Sequence, residues 1–139
     1  MNEKANYIFS GLCAIATFLF GNNPASTKFV IALAVFIAFD LITGVINALI
    51  KKEFKAGVFE YGILKKVGIL VAVSFCYFID KFQIVNVGIN FESITAMFFI
   101  GGEIISNIEN FANMGLKLPQ QLISAINKQF IEGGEEIAK

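Results

Sequence analysis

An apolar stretch of 22 residues, FVIALAVFIAFDLITGVINALI at 29–50, holds one ionisable side chain, Asp40, close to its centre. As an α-helix this stretch is long enough to cross a hydrocarbon core of ~30 Å unaided. An acid at the middle of such a helix costs about 2.5–3.5 kcal/mol on insertion, so Asp40 must be turned toward protein or water and away from lipid. Helical spacing puts Thr43, Gly44 and Asn47 at i+3, i+4 and i+7 on the Asp40 face. Phe29, Val35, Ile42 and Val45 contribute to the rest of the surface. Two uses of this face stand open, a functional seam or a structural hydrogen bond, and intramembrane acids favour the first.

Three more apolar segments flank this one, giving boundaries at about 7–21, 29–50, 63–81 and 91–110. The first, YIFSGLCAIATFLFG, has 15 residues. At roughly 22 Å as a helix it needs its flanks to span. Lys4 beside Glu3 and the weak small-residue site in GNNPAS favour an uncleaved helix over a secretory signal. GNNPASTK then breaks the helix, and Ser26 or Thr27 is expected to cap the next one. In the third segment Lys65, Lys66 and Lys81 can bury their stems and carry their amines to the interface. Glu92 and Glu103 interrupt the fourth.

The expected fold class is an all-α integral membrane protein with three to four short transmembrane helices plus a C-terminal amphipathic helix. Gly115 suits a helix C-terminus and Pro119 the first turn of the next helix. In that tail, at about 118–132, Leu118, Leu122, Ile123, Ile126 and Phe130 share one arc while Gln121, Lys128 and Glu132 face away. An interfacial or partner-binding helix and a helix docked back on its own bundle fit the arc equally well. One membrane domain, 1–139, accounts for the whole chain.

Composition narrows the function. Hydrophobic residues make up 56% of the 139, mean hydropathy is +0.70, and there is no Trp and no His. A His-centred triad and a His-ligated metal site are excluded, and no nucleophile set or phosphate loop stands out, so no enzyme, cofactor or metal is expected. The 11 cationic residues, all Lys, are dispersed against 11 acids, which argues against nucleic acid as a partner. Cys13 and Cys76 fall in apolar runs and read as packing residues.

Orientation follows from the lysines, because positively charged short loops stay in the cytoplasm. With four spans and the N-terminus inside, Lys4, the five lysines of residues 51–66, Lys117, Lys128 and Lys139 lie inside, and Lys28 and Lys81 outside. The second loop and the C-terminus are therefore expected in the cytoplasm.

Two other segments offer counterparts to Asp40. Lys66, Ser74 and Tyr77 fall on one face of the third, with Asp80 and Lys81 as an interfacial end. Glu103, Ser106, Asn107 and Asn110 crowd one stripe of the fourth, too polar for a lipid face; a helix emerging into the cytoplasm is the bland alternative.

Taken together, FDLITG (Asp40, Thr43, Gly44), GILKK (Gly62, Lys65, Lys66), FID (Asp80), and EIISNIEN followed by NMGLKLP (Glu103, Ser106, Glu109, Asn110, Gly115, Pro119) form an ordered set. Over about 36–119 the chain resembles the small phage lysis and toxin-secretion holins of Gram-positive bacteria and their phages, including the clostridial toxin-release type. It departs from them at Gly102, where Asn is common, and at Ala56, where Ser is. The resemblance implies a non-enzymatic protein of the bacterial cytoplasmic membrane that oligomerises with itself and opens lesions at a set time. A separate cell-wall hydrolase or a toxin then passes. A small multi-helix transporter or ion channel, or a non-catalytic subunit of a membrane complex, are the rival readings. On the holin reading the Asp40, Thr43, Gly44, Asn47 face becomes an oligomer interface or lumen lining, and the tail adjusts timing.

Overall fold

The computed structural model describes residues 3–132; Lys139 lies outside them. Four long helices, α1 (Glu3–Phe20), α2 (Pro24–Ile50), α3 (Ala56–Lys81) and α4 (Phe91–Asn113), are followed by a short one, α5 (Gln120–Ile126), and a π-helical turn at Asn127–Glu132. No strand occurs among the described residues. The protein is all-α, as the apolar periodicity predicts.

Helix α2 starts earlier than expected. Asn23, not Ser26 or Thr27, is its N-cap: the Asn23 carboxamide accepts the Ala25 N–H at 3.0 Å, with Pro24 at the first helical position. Proline there has no N–H to leave unpaired and a φ already suited to the helix, so the break read at Asn-Pro is also the helix start. Thr27 instead donates its hydroxyl to the Asn23 carbonyl at 2.7 Å.

Helices α2, α3 and α4 form the bundle. Its apolar core is Val30, Leu33 and Ile37 of α2, Ile69 and Val73 of α3, and Ala96 and Ile100 of α4. The spacing of three and four on α2 and of four on α3 and α4 lines each set along one helix face. Helix α4 packs most extensively on α2, and Ala96, fully buried, lets the two backbones approach. They run parallel, Ser26 lying level with Glu92 and Lys51 reaching Asn113, while α3 runs back antiparallel to both and packs mainly on α4.

Outside the core the usual distribution is inverted. Ile31, Val35, Phe39, Ile42, Ile46 and Leu49 form an exposed apolar stripe down α2, whereas Ser26, Thr43, Ser74, Glu92, Glu103 and Asn107 are buried. A water-soluble bundle does the opposite. Helices α2 and α3 are also long and apolar enough to cross a membrane. The chain is a membrane protein whose solvent is lipid.

Helix α1 stands apart, burying none of its residues. Its attachment is at its C-terminal end: Ser74 donates to the Leu19 carbonyl at 2.9 Å, Phe18 meets Phe78 edge-on, and the Tyr77 ring covers Gly21. Cys13 is consequently exposed and does not pack inside the protomer, contrary to the expectation from its apolar run; Cys76 is half-buried against the Thr95 hydroxyl.

Candidate functional site

Asp40 does face protein. Lys66 Nζ of α3 lies 2.8 Å from Asp40 Oδ2 and also pairs with Glu103 of α4, joining three helices through one ammonium. Glu103 is the deepest member, its side chain 5% exposed, against 12% for Lys66 and 13% for Asp40. Two carboxylates thus share one lysine, an arrangement that an apolar surrounding makes expensive to break: removing one partner of a buried pair costs about 3–5 kcal/mol.

A neutral network flanks the ions on the α2–α4 side. Asn110 donates to Asp40 Oδ1 and to the Thr43 hydroxyl, both at 3.1 Å. Thr43 is 2.8 Å from the Phe39 carbonyl and 3.2 Å from Asn107 Oδ1. Asn107 in turn donates to the Phe36 carbonyl at 3.2 Å and the Glu103 carbonyl at 2.7 Å. Asn107 is buried and central, while Ser106, one residue earlier, is only half-buried. The 100° step of the helix, applied from Glu103, puts i+4 at the seam as well as i+3. Asn47 shares the face, and its Oδ1 is buried without a hydrogen-bond partner among the described residues. A Cβ at Gly44 would meet Asn110 Nδ2 at 3.7 Å, an ordinary contact.

Two cavities meet at this cluster. One, of about 260 Å³, lies under the α2–α3 connection and has Asp40, Gly44, Gly62, Lys66, Ser106 and Asn110 in its wall. The other, of about 760 Å³, lies between α3 and α4, with Lys65, Lys66, Glu103 and Ser106 on one side and Gln129 and Phe130 on another.

Other residues singled out in the sequence sit elsewhere. Asp80 accepts the N–H groups of Phe91 at 3.1 Å and Glu92 at 2.8 Å, so it caps the start of α4 together with Asn90, which accepts from Ser93 at 2.7 Å. Lys81 lies over the rings of Phe18, Tyr77 and Phe78. Ser74 and Tyr77 face α1, so the polar face read on α3 is divided between two neighbours. Glu109 is exposed. Gly115, at φ +83°, ends α4, and Leu116 N–H donates back to the Phe111 carbonyl at 3.0 Å. Pro119 precedes α5. Glu92, 2% exposed, and its buried neighbour Ser26 form a second polar level that no local sequence signal marks.

An all-helical membrane protein with an ion-paired interior has a counterpart among known families. The bacteriophage holin family matches residues 14–129, and the chain belongs to it. A probable holin of Bacillus phage phi105 is 31% identical over 111 residues, 80% of this chain and 78% of that protein. An uncharacterized 14.9 kDa protein in the nagH 3′ region of Clostridium perfringens is 33% identical over 128 residues, 92% of this chain and 96% of its own. The uncharacterized protein YqxH of Bacillus subtilis is 30% identical over 140 residues, 100% of this chain and 94% of its own. No solved structure matches the chain.

Proposed function

We propose that this holin is a non-enzymatic permeabilising protein of the bacterial cytoplasmic membrane, which oligomerises and opens lesions through which a cell-wall hydrolase or a toxin passes. The observation that carries the reading is the Lys66 cluster: three helices close a polar interior over which their outer faces are apolar. Such a protomer can disperse in lipid while its seam is satisfied internally. Exchange of those contacts for contacts between protomers then exposes polar side chains to a lumen. Asp40, Thr43, Gly44, Asn47, Glu103, Ser106 and Asn110 are the residues that make the exchange.

The domain is one membrane unit in this reading, with α1 to α4 crossing the bilayer and the α2–α3 connection and the C-terminus in the cytoplasm. Lys51, Lys52 and Lys55 at that connection support the orientation.

The test is induction of the gene alone, with membrane potential and viability followed over time. The expected result is a delay and then abrupt collapse of both. Substrate-dependent flux with a maintained potential points to a transporter, silence to a subunit, and either overturns the proposal.

A further inference from the structure

The tail folds back along α4. After the turn at Met114 and Gly115 the segment 116–119 is non-helical, and residues 120–132 return with Ile123, Ile126 and Phe130 half-buried while Gln121, Ser124 and Lys128 are exposed. The Phe130 ring seats on Gly101 so closely that a Cβ at Gly101 would lie 2.4 Å from ring Cδ1. Only glycine accepts the ring there. Phe130 and Gln129 also line the 760 Å³ cavity on whose wall lie Lys66, Gly102 and Glu103. One aromatic ring therefore borders the cavity that adjoins the α3–α4 side of the ionic cluster.

We propose that this groove on α4 is an interface between copies of the chain, taking the Phe130 tail of a neighbouring protomer in place of its own. The observations favour exchange for three reasons. The tail is joined to the bundle covalently only through the non-helical segment 116–119, so its release breaks no long helix. The contact joins two different surfaces, groove and ring, so exchange between copies can close as a reciprocal pair or repeat head to tail around a ring. Ile123, Ile126 and Phe130 are only half-buried in the protomer, and Ile94, Met97 and Phe98 of the same cavity wall stay exposed, so the protomer's own tail leaves the groove incompletely covered and a second copy has apolar surface to bury. The inference rests on the proposed oligomerisation and names one contact within it: tail exchange links protomers and sets timing, while the seam lines the lesion.

The experiment co-expresses two differently tagged full-length copies, both Cys13→Ala and Cys76→Ala, one also Gly102→Cys and the other Gln129→Cys. Positions 102 and 129 line the same cavity and neither contributes the ring or its glycine. A short bis-maleimide added at the time of collapse is expected to give about tenfold more two-tag product than a control pair with Gly11→Cys in place of Gly102→Cys, since a seated tail raises the effective concentration of one thiol at the other. Adding Phe130→Ala to the Gln129→Cys copy should remove the excess. An amine-reactive cross-linker in parallel reports oligomers regardless of the tail. Oligomers without the 102–129 excess overturn tail exchange and leave the oligomeric reading intact; absence of oligomers in both chemistries overturns the two together.

Discussion

Along α2, α3 and α4, polar side chains are buried at two levels, and the levels differ in kind. On α4 they are marked by Glu92 and Glu103, roughly 16 Å apart along the helix. At the first, Asp80 caps the start of α4 and Glu92 lies against Ser26; among the described residues no lysine pairs with them. At the second, Asp40 and Glu103 share Lys66. Leu33, Val73, Ala96 and Ile100 fill the space between with apolar side chains. The capping level ties side chains to the backbone of one helix start, where nothing else is able to take their place. The ionic level ties side chain to side chain across three helices, and such partners can be supplied equally by a second copy. On the proposed function, permanence belongs to the first and exchange to the second.

Substitutions at the two levels should separate these roles. Lys66→Met has the largest expected effect: it leaves two buried carboxylates unpaired and should lower stability by about 3–5 kcal/mol, read as loss of the folded protein from detergent extracts on heating. An unchanged melting temperature would mean that the cluster is hydrated and contributes nothing to the protomer. Asp80→Ala should cost about 1 kcal/mol, the usual worth of a lost helix cap, and leave the timing of membrane collapse where it was. A shift in timing as large as that of a seam variant would erase the distinction between the levels.

How much of this was legible in the sequence depends on what set each feature. Asp40, Thr43, Gly44 and Asn47 share a face because α-helical geometry alone dictates it, as do Glu103, Asn107 and Asn110 on α4, whereas the face read on α3 splits, Lys66 turning to the seam and Ser74 and Tyr77 to the α1 end. The start of α2 is a local matter too, but Asn-Pro reads first as a break and only secondarily as a cap and first turn, so the helix begins at Pro24 instead of after Ser26 or Thr27. The burial of Glu92 is not local: an acid in a first helical turn ordinarily sits in water beside the helix dipole, and only the approach of α2 at Ser26 covers it. The seating of Phe130 on Gly101 likewise joins positions that no period connects. Cys13 shows the converse: its apolar run reads as interior, yet α1 buries none of its residues and the thiol is exposed.

The central claim is that the ionic seam is the part that opens. The most direct measurement is a paired time course of membrane potential for the wild-type chain and Asp40→Leu, each induced alone and matched for membrane level. Leucine removes the α2 partner of Lys66 and Asn110 while leaving Lys66 paired with Glu103, so the bundle persists with an altered seam. The account predicts that the time of collapse moves away from that of the wild type. Coincident collapse in the two cultures would contradict it.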